Sequence, residues 1–215
     1  QLGKLDDETA LIPLLDRLKD EAIYPEVRSV LLGYGEKAIP LLDYVVAKDG
    51  ADEEFKERCL RILLELDAKT VIPSLIKLTA PKKSSGAFRE LVVRALGKLG
   101  ENFTAPKEPK DKKGKGADKI AKEWDIEEAL LKLVKRKDLE LDETLAEALL
   151  GLGKIKSSKG KSYFLDGLKH ATSRVRGYSI IALGELGDPS VVDVLIEELM
   201  KKAQDNQPLI IQTLS

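Results

Sequence analysis

The sequence has little of the side-chain chemistry on which most enzymes depend. It contains one cysteine, one histidine and one tryptophan, and aromatic residues make up 5% of its 215 residues. A single cysteine excludes a disulfide within the chain, and Cys59 with the distant His170 does not form a metal-binding cluster. No run of about 18 apolar residues occurs, so no membrane-spanning helix is predicted. We therefore expect neither a metal nor a cofactor.

Other catalytic patterns are also missing. Lys159-Gly160-Lys161-Ser162 resembles the end of a phosphate-binding loop, but the first glycine of that motif would fall on Ile155 and the preceding segment is helical. No nucleophile–base pair or paired-carboxylate motif occurs, so the chain is predicted not to be an enzyme. Cys59 lies in a leucine-rich segment, which favours a small buried hydrophobic side chain over a reactive thiol.

What the sequence does contain is a repeated pattern of apolar residues at helical spacing. The phrase Leu-Gly-Lys-Leu-Gly and its variants recur, and the steps between them are 29, 32, 33, 56, 31 and 31 residues. A fixed period of this size is typical of proteins built from stacked helical hairpins. The one long step indicates an insertion.

Each repeat is predicted to contain a first and a second helix joined by a short turn. The second helices share a phrase with proline in the first turn, where its missing N–H costs no hydrogen bond. Glycine near the end of the first helix permits close helix contact and a tight turn. The clearest predicted helices are Glu26–Tyr34, Ala38–Ala47, Asp52–Leu66, Val71–Thr79, Asp142–Leu152 and Ser162–His170.

Three segments carry a resemblance to a known family: VRSVLLGYGEKAIPLL, LVVRALGKLG and VRGYSIIALGELGDPSVVDVLIEEL. They resemble HEAT repeats, and in particular the short bacterial HEAT-like type that also occurs in phycobilisome lyase subunits. The resemblance implies an all-α fold, a right-handed α-solenoid of antiparallel helical hairpins with about six repeats. The matching residues are packing and turn residues, so they predict the fold rather than a function.

The domain prediction is one solenoid over residues 1–215, with a Lys/Pro/Gly-rich insertion at 101–124. Both ends fall in mid-repeat, which suggests part of a longer chain. Trp124, at the exit of the insertion, is the expected anchor that holds it on the solenoid. No compartment is assigned, although the cytoplasm is favoured.

Charge is distributed unevenly. Residues 1–80 have a net charge of −5, residues 81–180 of +8 and residues 181–215 of −4. Two turns between the first and second helices of consecutive repeats are rich in lysine, and such turns project side by side in a solenoid. A candidate site for an anionic partner therefore comprises Lys107, Lys110, Lys112, Lys113, Lys115, Lys119, Lys154, Lys156, Lys159 and Lys161.

The favoured function is non-catalytic binding of a protein partner on an extended helical surface. One alternative is an accessory subunit of a bilin-lyase-like enzyme; another is binding of nucleic acid or an acidic surface through the basic turns. The His-Glu pairs of deoxyhypusine hydroxylase and the aromatic groove of HEAT-like DNA glycosylases are both missing. Acidic residues expected to be exposed on the second helices are Asp16, Asp43, Asp193, Glu197 and Glu198.

Overall fold

The computed structural model describes residues 8–80, 83–84, 86–105, 124–136, 142–201 and 205–215. These residues form α-helices, several of them preceded by a single turn of 3-10 helix, and contain no β-strand. None of the described helices is long and apolar enough to cross a membrane.

The helices alternate between the two types that the sequence predicts. First helices are α2 (Tyr24–Tyr34), α4 (Glu53–Glu65), α6 (Gly86–Gly100), α8 (Asp142–Lys154), α10 (Ser173–Leu186) and α12 (Gln207–Leu214). Second helices are α1 (Leu11–Arg17), α3 (Ile39–Ala47), α5 (Ile72–Leu78), α7 (Ile126–Val134), α9 (Lys161–Gly167) and α11 (Val192–Met200). The predicted helices are confirmed, with ends that differ by up to three residues.

Local sequence explains where the helices begin. Pro25, Pro40 and Pro73 occupy the first turns of α2, α3 and α5, where no backbone hydrogen bond is lost. The Asp52 carboxylate accepts a hydrogen bond from the Phe55 N–H at 2.9 Å and caps α4. Asp125 caps α7 in the same way, through the Glu128 N–H at 2.8 Å. Short polar residues and prolines therefore set the hairpin ends.

Packing divides the chain into two compact units, residues 1–92 and 93–215. In the first unit the second helices α1, α3 and α5 contact one another in sequence, and the first helices α2 and α4 pack together. In the second unit α8 packs against α10 and α10 against α12. Each helix thus buries its apolar stripe against the next hairpin, as a repeat protein requires.

The first helices of the second unit approach one another closely at glycines. A Cβ atom on Gly97 would lie 2.8 Å from the Cα of Gly151, and one on Gly153 would lie 2.5 Å from the Cα of Ala182. These distances are too short for non-bonded carbon atoms, so only glycine fits. The recurring glycine of the sequence phrase therefore sets the spacing between helices.

The turns that follow the first helices require a left-handed backbone. Gly187 has φ +65° after α10, and Lys156 has φ +54° at the matching position after α8. Glycine adopts this conformation without steric cost, whereas a side chain with a Cβ costs about 1–2 kcal/mol. Lys156 is the less favourable of the two residues.

We predict that Lys156→Gly stabilises the protein. Relief of the left-handed strain exceeds the extra entropy of glycine in the unfolded chain, so the free energy of unfolding should rise by about 0.5–1 kcal/mol. The reverse change, Gly187→Ala, should lower the free energy of unfolding by about 1 kcal/mol. No atom lies within 4 Å of the added Cβ, so only the left-handed backbone conformation opposes the alanine. Urea denaturation would measure the free energy of unfolding of both variants. Changes of equal size and the same sign would contradict the assignment of strain to the left-handed backbone at Lys156.

Candidate functional site

The solvent-facing side of the second helices forms the candidate site. On each second helix two residues four positions apart share this side, which we call the outer face. In the first unit the pairs are Pro13/Arg17, Pro40/Tyr44 and Pro73/Lys77; in the second unit they are Glu128/Lys132, Ser162/Asp166 and Asp193/Glu197. Pro73 is half-buried and the other members are exposed.

The chemistry of the outer face differs between the two units. In the first unit it is basic and partly apolar, with Tyr44 61% exposed and the Lys48 ammonium 5.8 Å from its ring centroid. In the second unit α9 and α11 carry Asp166, Asp193 and Glu197. Each unit therefore presents a charge of its own by which it can discriminate between partners.

Exposed apolar side chains also concentrate on the second helices. The described part of the chain has seven exposed large apolar residues, and five of them lie on second helices: Ile12, Tyr44, Val192, Ile196 and Met200. Scattered apolar residues on a surface are normal, but a preference for one class of helix is not. This preference favours the second helices as the side of the hairpins that meets a partner.

Two of the predicted acidic residues differ from expectation. Glu198 is only 6% exposed and pairs with Lys201, so the prediction that it is exposed is wrong. By the repeat register it occupies the core-facing position that Val45 holds in α3. Asp43 is half-buried and accepts a hydrogen bond from the Ser74 hydroxyl at 2.9 Å. Burial raises the pKa of Asp43 above its ordinary value.

The lysine site lies only partly within the described residues. Lys107, Lys110, Lys112, Lys113, Lys115 and Lys119 lie outside them. Lys159 donates to Glu127 at 2.6 Å, and Lys161 donates to Asp188 at 2.6 Å. Both contacts join one turn or helix to the neighbouring hairpin, so the charge of these two lysines is balanced by carboxylates.

A cavity of about 630 Å³ lies where the insertion leaves and rejoins the hairpins. The rings of Phe103 and Trp124 stack beside it, with centroids 5.7 Å apart and planes 16° from parallel. Lys154 and Lys156 line this cavity together with the carboxylates of Glu101, Asp125, Glu127 and Glu185. The described lining of this cavity therefore carries more acidic than basic side chains. The stack across the two ends of the insertion is consistent with the anchor role predicted for Trp124.

The single cysteine and the single histidine each have structural surroundings of their own. Cys59 is fully buried, as predicted, and burial raises the pKa of its thiol to about 12. His170 lies beyond the end of α9, where its Nδ1 accepts a hydrogen bond from the Thr172 N–H at 3.2 Å. Among the described residues no three His, Cys, Asp or Glu side chains are placed to hold a metal ion.

The contact between Lys161 and Asp188 predicts a pH dependence. The hydrogen bond from Lys161, and then those from Ser190, lower the pKa of Asp188 from 3.8 to about 2. A depressed carboxyl pKa adds stability above the unfolded value of 3.8, and this stability is lost as the pH falls toward 2. Asp188→Asn keeps a side-chain oxygen for the Ser190 N–H but removes the charge. We expect it to lower the melting temperature at pH 7, and the difference from wild type to vanish near pH 2; an unchanged difference across this range would contradict the assignment.

Comparisons with known proteins agree with this helical repeat geometry. The family model described as HEAT repeats matches residues 127–214. Over this segment the chain is similar to HEAT repeats. This confirms the resemblance seen in the sequence, and the remaining helices continue the same alternation of first and second helices. No curated protein matches the chain significantly in sequence.

Solved structures show the same fold beyond the HEAT-repeat segment. A crystal structure of an engineered protein, a target of the Northeast Structural Genomics Consortium, has a TM-score of 0.57 and 17% identity and covers 95% of each chain. Computationally designed armadillo repeat proteins for modular peptide recognition give a TM-score of 0.55 and 12% identity over 97% of this chain and 98% of theirs. The fold class is therefore the predicted one, an all-α solenoid of helical hairpins.

The HEAT-repeat segment contains some of the candidate features and not others. Lys154, Lys156, Lys159 and Lys161 lie inside it, as do the outer faces of α9 and α11. Phe103 and Trp124 lie outside it, so the ring stack is a feature of the insertion rather than of the HEAT pattern. Sequence reasoning named Trp124 but missed Phe103, for which the only signal was its position just inside the insertion.

Proposed function

We propose that this chain is a non-catalytic scaffold that binds an extended segment of a partner protein on the outer face of its second helices. The observation that carries the proposal is the exposure of the outer face: eleven of its twelve paired residues are exposed, and one of them is the aromatic Tyr44. Helical repeats offer a long surface and few enclosed pockets, which suits contacts spread along a peptide. Designed armadillo repeat proteins of similar fold were made for peptide recognition.

The charge of the outer face suggests which residues of a partner each unit attracts. Arg17 and Lys77 in the first unit would attract acidic residues, whereas Asp166, Asp193 and Glu197 in the second unit would attract basic residues. These residues are exposed, so they contribute to orientation and association rate more than to affinity. Tyr44 offers the apolar, hydrogen-bonding surface that is typical of residues with large contributions to binding.

Peptides selected from a displayed random library for binding to the whole chain would test the proposal. We expect Asp166→Lys, on the outer face of α9, to weaken selected peptides about tenfold, because it reverses an attractive charge. Glu143→Lys makes the same change on the first helix α8, where Glu143 is also exposed, and should leave affinity unchanged. A library that yields no binders, or binders weakened equally by both changes, would count against the proposal.

A further inference from the structure

A pocket of about 430 Å³ lies between the C-terminal ends of the second helices α7 and α9. Its floor is apolar and comes from first helices: Leu149 of α8 is 1% exposed and Val175 of α10 is fully buried. Its opening carries charge, because Lys135 and Asp166 line the pocket and are exposed. An apolar floor below a few polar groups is the usual form of a binding pocket, and the volume falls within the range of about 300–1,000 Å³ for such sites.

A glycine in α9 fixes the packing that forms this pocket. A Cβ on Gly167 would overlap the hydroxyl of Ser179 in α10 and would lie 3.4 Å from Cδ1 of Leu149. The Ser179 hydroxyl donates to the Val175 carbonyl at 2.8 Å, so moving it away would break a buried hydrogen bond. Only glycine fits here without a rearrangement, and α9 therefore lies close on the first helices that form the floor.

The pocket opens on the outer face of the second unit. Asp166 belongs to the outer face of α9, and Lys135 directly follows α7. These two helices are neighbours, because Glu127 near the start of α7 accepts hydrogen bonds from Ser157 and Lys159 just before α9. The pocket lies at their other ends. A segment that crosses the outer face from α7 to α9 at this level therefore passes over the pocket.

Charge changes sign across the opening. Lys135 and Arg136 are basic residues on the α7 side, whereas Asp166 is an acidic residue on the α9 side. Neither Lys135 nor Asp166 forms an ion pair with another residue in the described part of the chain. Both exposed charges can therefore meet charges of the opposite sign on a partner.

We propose that this pocket receives an aromatic side chain of the partner segment, with an acidic residue of the segment on the α7 side and a basic residue on the α9 side. The inference rests on the proposed function, since it states which residues of the bound segment the second unit selects. Tyr163 lines the pocket and is half-buried, so its ring offers a packing partner to an aromatic side chain. A large side chain in a pocket at the centre of a contact contributes most to binding.

An extended segment sets the spacing of these three residues. Alternate side chains of an extended chain point to the same side, so the acidic, aromatic and basic residues would lie two positions apart. The Cα atoms of the outer two would then be about 13 Å apart, which suits side chains that reach inward to two packed helices about 8–10 Å apart. The selected pattern is therefore acidic-x-aromatic-x-basic.

The test uses a fluorescent peptide of about nine residues with Glu-Ser-Phe-Ser-Lys at its centre and glycine and serine around it. One matched peptide has lysine in place of the glutamate, and another has alanine in place of the phenylalanine. Binding to the full chain is followed by fluorescence anisotropy at physiological salt, with the protein as wild type, Lys135→Glu or Lys98→Glu. Lys98 is exposed on the first helix α6 and gives the same change of charge away from the pocket. Thermal melting checks that each variant folds.

The wild-type chain should bind the first peptide about tenfold more tightly than the alanine peptide, because the phenylalanine ring is buried in the pocket. It should also prefer the first peptide about tenfold over the lysine peptide. Lys135→Glu should reverse this second preference, whereas Lys98→Glu should leave it as in wild type. A reversed preference requires a folded protein, so unfolding of the variant cannot produce it.

Three results would overturn the inference: no binding of the first peptide, equal binding of the phenylalanine and alanine peptides, or an unchanged preference in Lys135→Glu. An equal effect of Lys98→Glu would assign the preference to net charge rather than to the pocket and would also overturn it. Each of these results leaves the proposed function standing if library-selected peptides are weakened by Asp166→Lys and not by Glu143→Lys. Failure of the library test as well would reject the outer face itself.

Discussion

Replacing Gly153 by alanine should lower the free energy of unfolding by about 2–3 kcal/mol, although alanine is the better helix former. The added Cβ would lie 2.5 Å from the Cα and 2.7 Å from the Cβ of Ala182. Because the nearest atom belongs to the backbone of α10, no side-chain rotation relieves the clash, and α8 and α10 must separate. The loss corresponds to roughly 4–12 °C in melting temperature for a chain of this size.

Gly33 provides the matched control for this substitution. It is exposed in the last turn of α2, and a Cβ there would meet no atom within 4 Å. Gly33→Ala should therefore raise stability by up to about 1 kcal/mol through helix propensity alone. Thermal and urea denaturation of both variants separate the two effects. A neutral or stabilising Gly153→Ala would show that α8 and α10 do not approach closely at this glycine, and that glycine does not set their spacing.

The double change Arg94→Met and Arg174→Met should cost about 3 kcal/mol. Both guanidinium groups bind the Glu147 carboxylate, at 2.8 and 3.0 Å, and join α6 and α10 to α8. The Glu147 side chain is 1% exposed, so loss of both arginines leaves a buried charge without these two partners. Breaking a buried pair in this way typically costs 3–5 kcal/mol.

Glu147→Met tests the same contact from the other side and should cost much less, about 1 kcal/mol or below. It removes the buried charge, and the two arginines are 45% and 35% exposed, so water can hydrate them. Chemical denaturation near pH 7 gives the comparison. A larger loss for Glu147→Met than for the double arginine change would show that the carboxylate is needed for a different reason.

Much of the fold was predictable because each repeat contains residues with strong local conformational preferences. Proline in the first turn of α3 and α5 and the left-handed Gly187 after α10 fix the ends of hairpins without help from tertiary contacts. The 31-residue period then places equivalent residues on equivalent faces. Helix type, order and approximate bounds follow from these two facts.

Features that depend on contacts between distant segments were harder to predict. Phe103 and Trp124 stack across an insertion whose length hides their proximity. In the sequence Glu147 resembles an ordinary polar surface residue. Counted by the repeat period, however, it is equivalent to Leu91 of α6 and Tyr178 of α10. That comparison was available in the sequence and marks Glu147 as buried. Glu198, wrongly predicted to be exposed, could have been corrected by the same comparison.

The lysine-rich turns show which part of a surface charge the sequence alone does not give. Lysine spacing along the chain predicted a basic ridge, but Lys159 and Lys161 lie close to Glu127 and Asp188, which are about 30 residues away in sequence. Carboxylates from neighbouring hairpins alter the local charge in a way that a count over a sequence window does not record. The charge of a repeat surface has to be counted across hairpins.

Cysteine protection tests most directly the central claim that the second helices present the binding surface. The native Cys59 is buried with a thiol pKa of about 12, so single cysteines introduced elsewhere can be labelled selectively in the folded protein. We would compare Tyr44→Cys and Ser162→Cys on second helices with Ser29→Cys and Glu143→Cys on first helices, all at exposed positions. A bound library-selected peptide should slow the labelling of at least one of the two second-helix cysteines about tenfold and leave both first-helix cysteines unchanged. Protection of the first-helix positions instead would contradict the account.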